Sequence, residues 1–143
     1  MKQLYAILTV AMLSVALCSY AQEQVQIRLV NSNGMEAVIS NYGARLVSLT
    51  AHNWNGRLEP VVKTYTNKEE YMKDKTLGAT LLFFGKNHEE TLSGKMWELV
   101  SSDNQSVTLR YVTSEGENGL DGKLNVTVTY TLSDQNALDI DYR

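Results

Sequence analysis

The chain contains one cysteine, one proline and two histidines among its 143 residues. A single cysteine cannot form an intramolecular disulfide, and so few histidines argue against a multi-histidine metal site. Thirteen basic residues stand against 16 acidic ones, so the basic excess of a nucleic-acid-binding protein is missing. The Gly-rich phosphate loop, the Gly-x-Ser-x-Gly elbow and the His-Glu-x-x-His motif are also absent. We therefore expect no metal site and no nucleic-acid partner.

The composition that remains is that of an ordinary globular protein. Hydrophobic residues make up 43% and charged residues 20%, and the length suits one domain.

The N-terminal segment has the features of a secretory signal peptide. Lys2 provides the positive charge, residues 4–17 are almost entirely apolar, and Ser19-Tyr20-Ala21 places small residues around a cleavage site. We expect residues 1–21 to be removed on export to the periplasm or the medium. Residues 22–143 would then form the mature domain, without membrane association.

Two alternatives for this segment stay open. One is an uncleaved N-terminal anchor helix. The other is a lipoprotein in which Cys18 becomes the lipidated first residue.

The mature chain predicts β-strands joined by turns. Residues 25–29 and 107–112 alternate apolar and polar side chains, which is the period of a half-buried strand. The clearest run is residues 124–132, where the β-branched content agrees with the period. Leu138 begins a last strand that runs to Arg143. Further strands are predicted over residues 35–40, 44–50 and 58–62.

Turn and cap residues complete this pattern. Asn-Gly pairs at residues 33–34 and 55–56 favour tight hairpin turns. Asn67, followed by two glutamates, predicts the start of one short helix that Lys73 and Lys75 close. The pattern as a whole predicts an all-β, antiparallel fold.

Few residues carry obvious chemistry. His52 lies in a turn-like segment and is expected to be solvated. His88 precedes Glu89 and Glu90, so it is either an acid–base group with a raised pKa or part of a polar loop. Residues 115–121 are either a weak calcium loop or a solvated hairpin loop.

The aromatic residues also allow two roles. If exposed, Trp54, Tyr65 or Tyr71 would be able to stack on sugar faces. Trp97 lies in an apolar run and is expected in the core.

A series of segments resembles one known family in order and spacing. The most specific is Asn41-Tyr42-Gly43-Ala44-Arg45-Leu46-Val47-Ser48-Leu49. The others are residues 33–37, 55–62, 69–71, 78–80, 95–98, 106–111 and 124–130. Together they resemble the N-terminal part of the aldose 1-epimerases, also called galactose mutarotases. The resemblance implies a galactose mutarotase-like antiparallel β-sandwich, a monosaccharide partner such as galactose or glucose, and no cofactor.

The resemblance also implies a mechanism. In the family, a glutamate removes the proton of the anomeric hydroxyl while a histidine protonates the ring oxygen. The ring opens, C1 rotates, and the ring closes on its other face.

The departures from the family concern the sugar site. Lys86 and Asn87 stand at the positions of the family's sugar-binding Asn and Arg, and lysine lacks the planar fork of arginine. His88 matches the first histidine of an Asn-His-Leu-His-Gly-Gly motif whose remainder has no counterpart here, so an internal segment is missing. The family's second His motif, its binding Asp and its catalytic Glu would follow Arg143.

We therefore expect a truncated mutarotase-like sandwich that is catalytically inactive as given. Lys86, Asn87 and His88 are its degenerate substrate-binding positions, and no catalytic residue is assigned. One alternative is a small non-catalytic carbohydrate-binding or self-associating β module, since the last strand would leave an exposed edge. Another is an epimerase that completes its site with a partner chain.

Overall fold

A computed structural model describes residues 22–84 and 90–143, and this part of the chain is almost entirely β. Its strands are β1 (Gln26–Val30), β2 (Glu36–Ser40), β3 (Arg45–His52), β4 (Leu58–Pro60), β5 (Phe83–Phe84), β6 (Glu90–Thr91), β7 (Glu98–Ser102), β8 (Ser106–Val112), β9 (Asn125–Leu132) and β10 (Leu138–Tyr142). A helix, α1 (Lys68–Lys73), lies between β4 and β5. The expected export signal at residues 1–21 lies outside the described residues.

Two four-stranded antiparallel sheets form the body of the domain. The first has the order β1-β2-β3-β4, the second has the order β10-β9-β8-β7, and β5 pairs with β6. The two sheets contribute side chains to a common core: Leu29, Ala37 and Ile39 from the first, and Val107, Leu109, Val126, Val128, Tyr130 and Leu132 from the second. The expected all-β antiparallel sandwich is confirmed.

Strand β9 follows its sequence pattern closely. Every second side chain from Val126 to Leu132 is buried, while Thr127, Thr129 and Thr131 lie on the other face. On that face the Thr129 hydroxyl lies 3.0 Å from the hydroxyl of Thr108 on the neighbouring strand. Full burial of an aliphatic side chain is worth about 1.5–3 kcal/mol, so this period fixes the register of β9.

Helix α1 begins where the sequence predicts. The Asn67 side-chain oxygen accepts a hydrogen bond from the Glu70 N–H at 3.0 Å, which confirms the expected cap. The helix ends at Lys73, before Lys75, and buries Tyr71. Within the described residues, no helix has the length and apolar character needed to cross a membrane.

The structure departs from the expected pattern at two strands. β4 is only three residues long and ends at Pro60, two residues earlier than expected, although the Val61 N–H still donates to the Leu49 carbonyl at 2.9 Å. β7 was not expected, since all five of its residues are exposed and it has no apolar alternation. A bulge between Leu99 and Ser101 also breaks its register with β8.

We predict that two glycine positions respond differently to substitution. Gly78 and Gly56 both have left-handed backbone, with φ of +67° and +75°. A Cβ at Gly78 would lie 2.1 Å from the carbonyl oxygen of Leu46, whereas a Cβ at Gly56 would meet nothing within 4 Å. Gly56→Ala should therefore cost about 1–2 kcal/mol from the backbone alone.

Gly78→Ala should cost about 1–3 kcal/mol more, because β3 or the loop must move. Urea unfolding of the two variants measures the difference. Equal losses at both positions would contradict the close approach.

Candidate functional site

The turn at residues 41–44 joins β2 to β3 and is hydrogen-bonded to several distant parts of the described chain. The Asn41 side chain accepts from the Val25 N–H at 2.8 Å and donates to the Glu23 carbonyl at 3.0 Å. Its backbone carbonyl accepts from the N–H of Trp97 at 2.8 Å, and Trp97 is fully buried, as expected. Asn41 thus holds the segment before β1 and the segment before β7 in place.

Ala44 links the turn to the second sheet. Its φ of 43° is left-handed, and its carbonyl accepts from the Tyr130 hydroxyl at 2.7 Å and the Thr80 hydroxyl at 3.2 Å. Burial raises the pKa of Tyr130 well above its ordinary value, so this phenol stays protonated and donates. The loop at residues 78–80 and strand β9 therefore meet at one carbonyl oxygen.

Arg45 begins β3 and is almost completely buried. Its guanidinium donates to three backbone carbonyls of one loop: Asp74 at 3.1 Å, Lys75 at 3.2 Å and Leu77 at 2.9 Å. Because the guanidinium is a rigid fork of donors, it fixes the path of residues 74–77.

Two tyrosine rings lie beside the same guanidinium. The Arg45 Cζ atom is 5.1 Å from the ring centre of Tyr71 and 5.8 Å from that of Tyr42, which are cation–π distances. Burial lowers the pKa of Arg45, and the three carbonyls offset that cost. Tyr71 is thus buried against an arginine, so the exposed ring that stacking on a sugar would need is not present at this position.

A pocket of about 440 Å³ opens beside this junction. Its lining residues are Thr80, Leu81, Leu82, Leu124, Asn125, Val126, Tyr142 and Arg143. The Thr80 and Tyr142 hydroxyl oxygens lie 3.2 Å apart on its wall. Among the described residues, this lining holds no side chain with a carboxylate or an imidazole.

The residues singled out from the sequence are scattered. His52 is exposed at the end of β3, and Trp54 is 93% exposed at the tip of the β3–β4 hairpin. Lys86, Asn87 and His88 lie outside the described residues, which end at β5 and resume at β6.

The acidic segment at residues 115–121 contains a carboxylate that protein donors already use. Glu117 accepts from Lys95 Nζ at 2.9 Å, from the Ser114 N–H at 2.8 Å and from the Tyr111 hydroxyl at 3.1 Å. These donors, Lys95 foremost, lower the pKa of Glu117. No group of three or more metal-ligating side chains lies together in the described part of the chain.

A second cavity, of about 500 Å³, is polar and lies where turns of the two sheets meet. The Asn31 side chain donates there to the Ser133 carbonyl at 2.9 Å and to the Asn136 side chain at 2.8 Å. Asp134 accepts from the Ser32 N–H at 2.9 Å. These polar groups are hydrogen-bonded to one another, so we interpret them as a structural contact between the turns of the two sheets.

Comparison with known families decides the classification. The family model described as aldose 1-epimerase matches residues 25–86 and 84–143. The chain belongs to the aldose 1-epimerase family. The two matched pieces overlap at residues 84–86.

Solved structures share the fold of this family member. A GalM/aldose epimerase homologue from C. elegans superposes with a TM-score of 0.74 and 24% identity over 84% of this chain and 45% of its own. A galactose 1-epimerase from Lactobacillus acidophilus NCFM gives a TM-score of 0.65 and 22% identity over 82% and 42%. The chain spans less than half the length of these two proteins. No curated protein matches it.

We predict that Arg45 contributes more to stability than any exposed ion pair. Arg45→Met leaves three partly buried carbonyls without this donor, and since a buried unsatisfied group costs about 1–3 kcal/mol, we expect a total loss of about 3 kcal/mol. Arg45→Lys should recover little, because one ammonium cannot reproduce the fork. Thermal unfolding measures both variants.

The matched control is Arg110→Met. Arg110 pairs with Glu98 at 2.7 Å on the exposed face of β7 and β8, where an ion pair is worth at most about 1 kcal/mol. An Arg45→Met variant as stable as Arg110→Met would show that the three carbonyls do not depend on Arg45.

Proposed function

We propose that this chain is a mutarotase-type sandwich of hexose metabolism that binds a monosaccharide, such as galactose or glucose, without interconverting its anomers on its own. Family membership supports the sugar class, and the two-sheet scaffold supplies the architecture. The lining of the pocket beside Thr80 carries the second half of the proposal. It holds no side chain with a carboxylate or an imidazole among the described residues.

The absence of carboxylate and imidazole side chains from this lining bears on catalysis because mutarotation requires proton transfer. Each positioned acid or base typically contributes about 10²–10⁴ in rate, and mutarotation of the family type needs one of each. Of the two histidines, His52 is the one that the structure describes. It lies exposed on the β3–β4 hairpin and not in the pocket. The pocket offers a phenol at Tyr142 and a guanidinium at Arg143, which can bind a sugar but do not make this pair.

The pocket combines apolar walls with hydrogen-bonding groups, and both kinds of surface contribute to sugar binding. Leucine side chains and the Tyr142 ring present apolar surface to C–H groups, as aromatic walls do in many small-molecule sites. Thr80, Asn125 and Arg143 add hydrogen-bonding groups at its margin. Lys86, Asn87 and His88 follow the Leu81–Leu82 wall in the chain by only a few residues, and we propose them as further contacts, of which His88 supplies at most one of the two groups that proton transfer needs.

We predict that the purified chain leaves mutarotation at the rate of the buffer. The measurement is polarimetry on freshly dissolved α-galactose and α-glucose. An acceleration that grows in proportion to protein concentration would contradict the proposal and favour an active epimerase.

Sugar binding is predicted to depend on Tyr142. Isothermal calorimetry with galactose and glucose should give a saturable heat for the chain, and Tyr142→Ala should abolish it. Trp54→Ala is the matched control, because Trp54 is the most exposed aromatic ring and lies outside the pocket. Loss of heat in Trp54→Ala but not in Tyr142→Ala would place the sugar on the hairpin instead.

We propose self-association through a strand edge as a second function. Ile140 and Tyr142 of β10, at 44% and 50% exposure, favour it, because they are apolar side chains on an edge strand.

A further inference from the structure

The turn pattern Asn-x-Asn-Gly occurs twice in the first sheet. Residues 31–34 lie between β1 and β2, and residues 53–56 lie between β3 and β4. The glycine of each turn has left-handed backbone, with φ of +82° at Gly34 and +75° at Gly56. Because the residue pattern and the glycine backbone agree, the surroundings of each residue can be compared between the two turns.

The first asparagine, Asn31 or Asn53, holds its turn in the same way in both copies. Its side-chain oxygen accepts hydrogen bonds from the backbone N–H groups two and four residues later. The donors are Asn33 at 3.1 Å and Met35 at 2.9 Å in one turn, and Asn55 at 2.9 Å and Arg57 at 3.0 Å in the other. The glycine N–H also donates to the carbonyl of the first asparagine, at 3.0 Å from Gly34 and 2.9 Å from Gly56. The backbones of the two turns are therefore held alike.

The two turns differ in the contacts of the second asparagine. The Asn33 side-chain amide donates to the Asp134 carbonyl at 2.8 Å and to the Asn136 side-chain oxygen at 3.1 Å, so it is bound to a turn of the second sheet. Asn55 is exposed, and its side chain makes no hydrogen bond within the described part of the chain. The Asn55 amide is therefore able to rotate, whereas the Asn33 amide is held.

We propose that Asn55 is a site of spontaneous deamidation, and that Asn33 is protected from the same reaction by its hydrogen bonds to the second sheet. In this reaction the Gly56 nitrogen gives its proton to hydroxide and attacks Cγ of the Asn55 side chain. The N–Cγ bond forms and the Cγ–Nδ2 bond breaks. The departing nitrogen takes a proton from water and leaves as ammonia, and a succinimide ring remains. Glycine favours this step because no Cβ crowds the attacking nitrogen.

Water then opens the ring at either of its two carbonyl carbons. Attack at Cγ breaks the new N–Cγ bond and gives aspartate with the original backbone. Attack at the main-chain carbonyl carbon breaks its bond to the glycine nitrogen and gives isoaspartate, in which the chain runs through the side chain. Both products carry a carboxylate that is ionised at neutral pH, so the β3–β4 hairpin gains a negative charge. This hairpin does not line the pocket beside Thr80, so the modification is independent of sugar binding.

The contacts of the two side chains set the difference in rate. Cγ must turn toward the glycine nitrogen, and Asn55 makes this rotation without losing a hydrogen bond. Asn33 would first have to break both of its bonds to the second sheet. Its carboxylate product would then face the Asp134 carbonyl, with no proton between the two acceptors. The two glycine N–H groups are bonded alike, so they do not account for a difference.

Peptide mapping by mass spectrometry tests the proposal on the purified full chain, incubated at mildly alkaline pH and sampled over time. Trypsin places the three Asn-Gly pairs of the sequence in separate peptides, residues 29–45, 46–57 and 111–123, and fragment spectra locate the modified residue. In the folded chain, Asn55 should react at least about fivefold faster than Asn33, because only Asn33 must break two hydrogen bonds. An isoaspartyl methyltransferase should label the product at residue 55.

The same incubation in urea is the control, because neither turn is formed there and the rates of Asn33 and Asn55 should converge. A rate ratio in the folded chain no larger than the ratio in urea overturns the proposal. So does a folded chain in which Asn55 stays an amide while it reacts in urea.

Asn136→Gly is the matched variant for the protection of Asn33. Asn136 has a φ of 59°, which glycine adopts freely, so the variant removes one acceptor of Asn33 without straining the turn. Asn33 should react faster in this variant and Asn55 at its former rate, with the β circular dichroism signal retained. An unchanged rate at Asn33, or an equal increase at both residues, overturns the assigned protection.

Discussion

The fold depends on how one buried charge is satisfied. Burying a guanidinium is costly unless its N–H groups are hydrogen-bonded, and Nη1 and Nη2 of Arg45 donate to three backbone carbonyls within one four-residue loop, while its buried Nε has no partner. That loop cannot move without leaving the charge unpaired. Its fixed path brings the Gly78 carbonyl to 2.8 Å from the Leu46 N–H, so the following residues lie directly against β3. Only a residue without a Cβ allows this approach.

The position of the second sheet follows from the same junction. Once residues 78–80 lie against the turn, the Thr80 hydroxyl and the Tyr130 hydroxyl converge on the Ala44 carbonyl. Tyr130 belongs to β9, so this contact joins the two sheets by hydrogen bonds as well as by apolar packing. The pocket beside Thr80 is then the space between this junction and the end of β10. Its shape is a consequence of the junction.

Side-chain pattern predicted the parts of the fold that depend on side chains. The alternation of β9 and the Asn67 cap depend on the type of residue at each position, so the sequence predicts them, and both are confirmed. β7 could not be predicted this way, because both of its faces are exposed and it lacks a period. The role of Arg45 was missed for a different reason. Its partners are backbone carbonyls, which every residue carries, and the available signal was a charge at the start of an apolar strand.

The candidate site also contains residues that the sequence suggested and residues that only the structure shows. Lys86, Asn87 and His88 were chosen from their place in a family pattern, and they lie outside the described residues. The pocket wall formed by Leu81, Leu82 and Tyr142 was not anticipated, because residues far apart in sequence form it.

Family membership says little about activity, because the most specific family residues have structural roles. The most specific family segment contains Asn41, Ala44 and Arg45, and all three are buried and bonded within the junction. A change at any of them disturbs the fold, whereas the residues that line a pocket can change with little effect on stability. The sequence features that identify the family are therefore constraints on folding. They identify the fold and say nothing of proton donors or acceptors, so the chemistry has to be argued from the residues that line the pocket.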